Sequence, residues 1–313
     1  MFRKIHIARL YANKSRAKIL ISVDKSDYEI GQFQFHGDSS SLIDALPASR
    51  ITKGLLSNEV ISKAVIFDSI DSTNLELARR IKSGEGLQGE MILAEHQIAG
   101  MGRRGRHWYS PSRSGVYCSV LWRFPKDRMC ELGGLSLMVA LSVIESLDES
   151  GFTGLQVKWP NDVYIKKKKL AGILIEILDA DMSNNAVSLI IGIGINTASS
   201  DLTRQDAPAQ SISLEDVSGA RVDRANIILT LSKSLERDMR QFEMGGFGYF
   251  HEKWDSFDIF RNKKVTVEFG GKTVTGIAKG VTASGELMLS TNNGIKTFNC
   301  GEVSMREGDD CCN

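Results

Sequence analysis

Short runs rich in β-branched and aromatic residues recur between residues 64 and 195, and they constrain the fold more than any other feature. Two of these runs, 163–165 and 170–178, flank the lysine run Lys166 to Lys169 and predict a hairpin with a basic turn. The close spacing of the runs predicts a sheet with substantial antiparallel pairing. Because these residue types favour a pleated sheet, we assign strands to residues 64–67, 90–95, 116–124, 155–159, 163–165, 170–178 and 187–195.

Three segments between and after these strands have helical periodicity. Leu75, Ala78 and Ile81 recur at helical spacing after Ser72 and Thr73, either of which can cap a helix. Residues 132–147 and 225–242 also place apolar side chains on one face. The facing residues are Leu135, Val139, Ser142, Val143 and Leu147 in the first and Ile228, Leu231, Leu235 and Met239 in the second. Helices mixed with strands in this way predict an α+β fold.

Beyond residue 260 the predicted strands become shorter and more evenly spaced. Residues 265–269, 273–280, 286–290 and 295–299 are separated by Gly-Gly, Ser-Gly and Asn-Gly dipeptides, which favour hairpin turns. Short strands joined by tight turns are typical of a small β-barrel. The 313 residues allow two domains, because a single core rarely grows beyond roughly 250–300 residues.

Bulk properties argue against several classes of protein. Apolar residues make up 42% and charged residues 25%, as in ordinary globular proteins, and the net charge of +1 gives no general bias toward nucleic acid. The start of the chain lacks the apolar region of a signal peptide, and no apolar stretch approaches the roughly 20 residues of a membrane span. The five cysteines include no C-x-x-C pair. We therefore expect reduced thiols in a cytoplasmic protein without membrane contact.

Residues 1–60 differ from the rest of the chain. They combine a basic start, a short β-like run at 19–23 and a polar stretch from Asp38 to Ser41. Two successive amphipathic helices joined by a turn, the pattern of a helix-turn-helix domain, are not recognisable there. We expect a small appended element.

The segment most informative about chemistry is G-M-G-R-R-G-R at residues 100–106, followed by His107 and Trp108. Glycines let the backbone approach a ligand closely, and arginines supply planar, permanently charged donors for phosphate or carboxylate. Taken alone, the segment fits an anion-binding loop and a solvated basic loop equally well. It is neither a Walker loop nor a dinucleotide fingerprint, because a strand rather than a helix follows it.

Five motifs, including this loop, resemble those of bacterial biotin protein ligases in the same order and spacing. The loop, preceded by A-E-H-Q at residues 94–97, is similar to the glycine- and arginine-rich ligand loop of that family. The others are D-S-T-N at 71–74, K-W-P-N-D at 158–162, K-L-A-G-I-L at 169–174 and G-I-G-I-N at 192–196. The resemblance covers residues 60–306, which is most of the chain.

The resemblance implies a particular architecture and activity. It implies a mixed β-sheet flanked by helices at residues 61–258, like the catalytic core of class II aminoacyl-tRNA synthetases and biotin ligases. An SH3-like β-barrel with a polar tail would follow at 259–313, and a truncated or degenerate winged helix-turn-helix would precede at 1–60. The implied enzyme converts biotin and ATP, with Mg²⁺, into biotinyl-5′-AMP. It then transfers biotin to a lysine of a biotin carboxyl carrier protein, a subunit of acetyl-CoA carboxylase.

The implied chemistry brings two anions together, the biotin carboxylate and the α-phosphate of ATP. Unit charges at about 4 Å repel by roughly 1 kcal/mol in water and several times more in a partly dry site. Lys158, at a predicted strand end, is the first candidate to bridge the two anions, the plain alternative being an exposed lysine. The resemblance implies that Arg103 holds the phosphoryl group and retains the adenylate under a closed loop that excludes water.

The resemblance implies two overlapping sets of binding residues. The small polar side chains of the first set suit the carbonyl and N–H groups of a ureido ring, and Trp108 of the second is expected to pack against adenine. Ser72 or Thr73 as a helix cap and Trp108 as a core residue stay open as alternatives. The metal ligands stay undetermined, although Asp162 could lie near Mg²⁺. The biotin set is Ser72, Thr73, Asn74, Gln97, Gly100, Met101, Gly102, Arg103, Lys158 and Gly172, and the ATP set is Arg103, Arg104, Arg106, Trp108, Asn161, Lys169 and Asn196.

Two features depart from the family pattern. Met101 stands where the family loop usually carries arginine, which removes a possible charge-assisted contact worth roughly 1.5–3 kcal/mol. We expect reduced but present activity. The segment before residue 41 is shorter than the winged helix-turn-helix of many bacterial members, so we expect lost or impaired DNA binding. A homodimer is an expectation from the resemblance alone. A lipoate–protein ligase, a biotin-responsive repressor with secondary ligase activity and an inactive biotin-binding protein stay open as alternatives.

Overall fold

The computed structural model describes residues 18–19, 45–178, 185–199, 211–299 and 303–307. Its larger sheet has eight strands in the order β1-β2-β3-β4-β8-β7-β6-β5, and among the described pairs β2 and β3 are parallel while the others are antiparallel. The strands are β1 (Lys18–Ile19), β2 (Lys63–Phe67), β3 (Glu90–Ala94), β4 (Gly115–Pro125), β5 (Leu155–Lys158), β6 (Asp162–Ile165), β7 (Lys168–Leu178) and β8 (Ala186–Asn196). The predicted mixed sheet is confirmed.

Helices cover the two faces of this sheet unequally. Successive side chains of a strand point to opposite faces, so each face has its own core. On one face, Val120 and Ile191 belong to a large core completed by α3 and α5. On the other face, Leu77 of α2 packs in a smaller core with Leu121 and Ile190. The helices are α1 (Ala48–Leu55), α2 (Thr73–Lys82), α3 (Leu135–Glu149), α4 (Leu214–Ser218), α5 (Arg224–Gly245) and α6 (His251–Phe257).

The sequence predicted α2 correctly but only part of its buried face, since Ile81 is buried as expected. Leu75 and Ala78 are only partly buried, whereas Asn74, Leu77 and Arg80 are buried. Arg80 is buried because its guanidinium pairs with a buried carboxylate of β3, and Asn74 because it faces β4 and β7. The prediction used only the spacing of apolar residues, so it missed the buried polar residues of α2 that have partners elsewhere in the fold.

Two further boundaries differ from the predictions or refine them. The helix expected at 132–147 begins at Leu135, since residues 126–132 form a 3₁₀ turn and Gly134, with φ of 78°, separates the two. Ser72 occupies the N-cap of α2 but makes no side-chain capping bond. The predicted basic hairpin turn is confirmed, with positive φ of 50° and 60° at Lys166 and Lys167, as a two-residue type I′ turn requires.

A separate antiparallel sheet of five strands follows, in the order β12-β11-β10-β9-β13. Val267 and Leu289 lie in its core, and the ring of Phe298 on β12 contacts that of Phe269 on β9, with centroids 6.2 Å apart. This contact joins strands that are three positions apart, so the sheet curls as a small barrel does. The sequence did not predict β13. The strands are β9 (Lys264–Phe269), β10 (Lys272–Val281), β11 (Leu287–Thr291), β12 (Gly294–Phe298) and β13 (Val303–Glu307).

The chain between the two sheets runs beside the end of β5. The Ile259 N–H donates to the Val157 carbonyl at 3.0 Å, and the Trp159 indole N–H donates to the Gly285 carbonyl at 3.1 Å. The second sheet is thereby bonded to the strand that carries Lys158. The predicted domain boundaries at residues 60 and 258 stay predictions.

Some sequence predictions fall partly or wholly outside the described residues. Of the N-terminal element predicted at 1–60, the structure describes β1 and residues 45–60, which include α1, and the polar tail after residue 307 lies outside the described ranges. Within the described ranges, no single helix is long and apolar enough to cross a membrane. The 3₁₀ turn at Lys126–Leu132 and α3 reach that length and apolarity only together, across a bend of 69°, and most residues of α3 are buried in the core.

Candidate active site

A cavity of about 580 Å³ opens on the sheet face that α2 covers only in part. Of the residues predicted to bind biotin or ATP, Gly100 alone does not line it, and this glycine lies directly behind the wall, close to the Trp108 carbonyl and the Ser110 hydroxyl. The predicted residues that line the cavity are Ser72, Thr73, Asn74, Gln97, Met101, Gly102, Arg103, Arg104, Arg106, Trp108, Lys158, Asn161, Lys169, Gly172 and Asn196. The structure thus brings together residues spread over 125 positions of sequence, from 72 to 196.

Three glycines form the floor of the cavity. Gly172 of β7 pairs with Gly194 of β8, and Gly192 lies two residues away on the same face. A Cβ atom would lie 2.5 Å from the Trp108 ring at position 194 and 2.9 Å from it at position 172. At position 192 it would lie 2.3 Å from the Asn74 side-chain oxygen. This glycine floor leaves the space in which the tryptophan and the asparagine lie.

A buried hydrogen-bonded network of α2 and the following strands begins at Gln97. The Thr73 backbone N–H and hydroxyl both donate to Gln97 Oε1, at 2.9 and 3.1 Å, and Gln97 Nε2 donates to the Ser110 hydroxyl oxygen at 2.9 Å. Because one end of the amide accepts and the other donates, its orientation is fixed.

The network continues to Asn74 through two residues that the sequence did not predict. The Ser119 hydroxyl lies 2.5 Å from Asn74 Oδ1 and 2.6 Å from Thr73 Oγ1, and Asn74 Nδ2 donates to Glu176 Oε2 at 2.6 Å. Strand alternation places Glu176 on the same face as Gly172. That alternation is the only sequence signal for Glu176, and it does not reveal the contact with α2.

Cationic side chains lie on the same face of the sheet, at the end of the glycine floor away from Asn74. Lys158, Asp162, Gly172 and Gly194 face one another in register across β5, β6, β7 and β8. Lys158 is half-buried, and burial lowers its pKa, an effect that Asp162 opposes and that Lys169 and Arg106 reinforce. Its ammonium is therefore desolvated and lies among other charges.

A second lysine lies between the tryptophan and the carboxylate of this row. Lys169 Nζ is 2.7 Å from Asp162 Oδ1 and 5.2 Å from the centroid of the Trp108 ring, within the range of a cation–π contact. The neighbouring Lys166, Lys167 and Lys168 are exposed, as expected for a solvated turn. Lys169 alone of the lysine run lines the cavity.

The arginine-rich loop folds as a small hairpin at the cavity rim. The Trp108 N–H donates to the Gly100 carbonyl at 2.8 Å, the Gly102 N–H donates to the Arg106 carbonyl at 2.7 Å, and Met101 forms a bridge with His107. The Met101 side chain is 41% exposed. The backbone of Met101 therefore orders the loop, while its side chain is exposed at the cavity rim.

One arginine of the loop reaches a second motif. Arg103 Nη1 donates to Asn161 Oδ1 at 3.1 Å, and Asn161 Nδ2 donates to the Ile173 carbonyl at 2.8 Å. Arg104 and Arg106 are exposed, and Arg104 has a positive φ of 60°. The loop and the K-W-P-N-D segment are thus linked through Arg103.

The described residues contain no group of three or more His, Cys, Asp or Glu side chains that could hold a metal ion. Two carboxylates, Asp162 and Asp216, line the cavity. Asn196 donates to the Ile212 carbonyl at 3.3 Å and so fixes the segment that leads into α4.

Comparison with known proteins agrees with this geometry. The profile of the biotin/lipoate A/B protein ligase family matches residues 66–196, and that of the biotin protein ligase C terminal domain matches residues 260–306. The bifunctional ligase/repressor BirA of Escherichia coli is 34% identical over 286 residues, which are 90% of this chain and 86% of that protein. The chain belongs to the biotin protein ligase family.

Other members of the biotin protein ligase family are similar over about three quarters or more of the chain. A biotin–[acetyl-CoA-carboxylase] ligase of Mycobacterium tuberculosis is 31% identical over 74% of this chain and 85% of that protein. The structure of biotin protein ligase from Aquifex aeolicus in complex with biotin and ATP superimposes with a TM-score of 0.68 at 29% identity, over 79% of this chain and 99% of that one. The resemblance inferred from the five motifs and the fold class predicted from it are confirmed.

Proposed function

We infer that this chain is an ATP-dependent biotin–protein ligase. It activates biotin as biotinyl-5′-AMP and transfers it to a lysine of a biotin carboxyl carrier protein. The observation that carries this conclusion is the cavity itself, in which a fixed network of amides and hydroxyls lies over Gly192 and the desolvated ammonium of Lys158 lies beyond Gly172. A molecule with a polar, uncharged head and a carboxylate tail matches that arrangement.

The buried network is proposed to bind the ureido ring of biotin. Thr73, Asn74 and Gln97 present donors and acceptors in fixed orientations, and Ser72 lies beside them at the N-cap of α2. A ring with one carbonyl and two N–H groups is bound without reorganising these side chains, which keeps the entropic cost of binding low. The backbone of Met101 and Gly102, two residues that line the cavity, is then proposed to lie along the acyl chain.

Lys158 and Arg103 are proposed as the catalytic residues of adenylation. A carboxylate oxygen of biotin attacks the α-phosphorus of ATP, the bond to the β-phosphate breaks, and pyrophosphate leaves. Lys158 bridges the two reacting anions and Arg103 stabilises the charge on the phosphoryl group. In the second step the acceptor lysine amine attacks the acyl carbon, AMP leaves, and the amine loses a proton. An activated acyl group needs no further nucleophile from the protein.

The nucleotide is proposed to lie over the glycine floor next to Trp108. The indole presents a flat apolar surface for adenine. Lys169 lies beside the indole, and Asn161, bonded to Arg103, lines the same cavity for polar contacts. Arg104, Arg106 and Asn196 complete the proposed ATP set. Mg²⁺ is proposed to enter with ATP, held mainly by phosphate oxygens, because Mg²⁺ commonly binds substrate phosphates with one or two carboxylates.

Three proposals concern the surroundings of the enzyme, which we expect to work in the cytoplasm. We expect a homodimer, as the family resemblance implies. DNA binding is expected to be lost or impaired. The match to the Escherichia coli ligase/repressor spans 90% of the chain and so extends into the first 60 residues, which makes a direct DNA-binding measurement worthwhile. A gel-shift assay with biotin and ATP present tests it, and a specific shift would contradict the expectation.

Biotin-dependent exchange of pyrophosphate into ATP tests the proposed activity. We expect exchange with biotin, none with lipoate, and a loss of at least about 100-fold in Lys158→Gln, since one fixed donor to a developing charge is commonly worth that much. Exchange with lipoate alone would overturn the assignment in favour of a lipoate ligase. Exchange with neither acid would favour an inactive biotin-binding protein.

A further inference from the structure

The ammonium group of Lys158 lies within cation–π distance of two aromatic rings. Its Nζ atom is 5.4 Å from the centroid of Tyr164 and 5.8 Å from that of Phe260, and 3.5 Å from the Tyr164 hydroxyl. Both distances fall within the roughly 6 Å over which a ring face attracts a cation. Tyr164 belongs to β6, whereas Phe260 comes from the segment that leads into the second sheet.

Two backbone N–H groups hold Phe260 in this position, one bonded to a side chain and one to the main chain. Its N–H donates to Asp258 Oδ1 at 2.9 Å, and the preceding N–H of Ile259 donates to the Val157 carbonyl at 3.0 Å. Residues 258–260 therefore run beside the end of β5, directly next to Lys158. The Phe260 ring is 7% exposed, so it is packed rather than free to rotate away.

Burial works against the charged form of Lys158, and the neighbouring charges oppose that effect only in part. Burial lowers its pKa, Asp162 raises it, and Lys169 and Arg106 lower it again. Asp162 is also 2.7 Å from Lys169, so its charge is shared between two ammonium groups. The neutral rings of Tyr164 and Phe260 favour the charged form without adding a competing anion.

We propose that Tyr164 and Phe260 form an aromatic clamp that keeps Lys158 charged and directed into the cavity, so that the segment entering the second sheet supplies a positioning residue for adenylation. This inference rests on the proposed role of Lys158. Neither ring needs to touch a substrate. The second sheet then takes part in catalysis through the segment that tethers it to β5.

The protonation of Lys158 in the full-length chain tests the clamp without any substrate. A small acylating reagent modifies only the neutral amine, and peptide mass spectrometry gives the extent of Lys158 labelling at each pH. In Phe260→Leu, which keeps an apolar side chain but loses the ring, we expect the Lys158 pKa to fall by about one pH unit. At a fixed pH below the pKa, labelling is then about ten times faster. Phe260→Tyr, which keeps the ring, should match the wild type.

Catalysis gives a second readout that a merely structural role would not produce. In pyrophosphate exchange, Phe260→Leu should shift the alkaline limb of the kcat profile down by about one pH unit, with KM for biotin and ATP within about twofold. A Lys158 labelling profile that is identical in wild type and Phe260→Leu overturns the clamp.

The two hypotheses fail in different ways. If the wild-type chain shows no biotin-dependent exchange, the proposed function is overturned, while the labelling profile still decides whether the rings hold the charge of Lys158. If circular dichroism shows that Phe260→Leu is unfolded, Tyr164→Leu removes the other ring and is read by the same criterion, with Tyr164→Phe as its ring-retaining control.

Discussion

A methyl group added to the glycine floor would separate the two binding functions of the cavity. On β8, a Cβ atom at Gly192 would lie 2.3 Å from Asn74 Oδ1, and a Cβ atom at Gly194 would lie 2.5 Å from the Trp108 ring. Both substitutions add the same group to the same strand and face. Gly192→Ala therefore perturbs the proposed biotin head site, and Gly194→Ala perturbs the proposed nucleotide site.

The expected magnitude follows from the bonds that Asn74 would lose. β8 is paired on both sides by β4 and β7, so the strand cannot shift and the Asn74 side chain has to move. Moving it breaks the bond from Ser119 and the bond to the Glu176 carboxylate. A neutral bond is worth about 0.5–1.5 kcal/mol and a charged one about 1.5–3 kcal/mol. The displaced amide no longer keeps the orientation proposed to bind biotin, and the loss of one such bond to the ligand, about 1.4–2.7 kcal/mol, raises the biotin Kd by about 10- to 100-fold.

Calorimetric titration with biotin and ATP-dependent exchange kinetics measure the two effects separately. Gly192→Ala should weaken biotin binding by that factor and leave the ATP KM within about threefold, while Gly194→Ala should show the reverse pattern. Urea denaturation of both variants controls for a general loss of stability. Normal biotin affinity in Gly192→Ala, or equal weakening of biotin by both variants, would refute the assignment of the two ends of the cavity.

Three further changes have defined outcomes. Met101→Arg should slow the release of biotinyl-5′-AMP by about fivefold, since a partly exposed charged contact is worth only about 1 kcal/mol, and an unchanged release rate in a chase experiment would show that the side chain is irrelevant. Glu176→Leu removes the acceptor of the Asn74 amide and should raise the biotin Kd by about tenfold, whereas Glu176→Gln retains an acceptor and should stay within about threefold; equal effects would assign the interaction to charge alone. Burial raises the pKa of Asp258 to about 6, so the folded state binds its proton more tightly than the unfolded chain and loses stability as pH rises from about 4 to about 6. Asp258→Asn, which can still accept from the Phe260 N–H, should therefore raise the free energy of unfolding at about pH 8 by about 1–2 kcal/mol and leave it nearly unchanged at about pH 4. Urea titrations measure both values. A lower free energy of unfolding for the variant at about pH 8 would show that the carboxylate is stabilising.

Much of the fold follows from local sequence. The runs that became β4 and β8 contain long stretches of buried β-branched and aromatic residues, and the turn at Lys166 and Lys167 is specified by the short spacing of two strands. β13 was not predicted, because its residues include no run of apolar side chains and its pairing with β9 brings it into the sheet.

The sequence predicted the site residues that belong to motifs but not those that join the site through tertiary contacts. Residues of all five motifs line one cavity, because the fold brings the motifs together on one face of the sheet. Ser119 and Glu176 are 45 and 102 residues away from Asn74, and only the register of β4 and β7 against α2 brings the three together. Phe260 likewise reaches Lys158 through a tertiary connection that no periodicity encodes.

The glycine floor has a consequence for the range of molecules the enzyme can accept. A floor made of main chain in two central strands is stiff, because any displacement would break inter-strand hydrogen bonds on both sides. The opposite wall is a hairpin loop at residues 100–108 whose Met101 and Arg104 side chains are exposed. We expect substrate analogues that are enlarged toward the sheet to be rejected and those enlarged toward the loop to be tolerated. Selectivity would thus be unequal on the two faces of the same ligand.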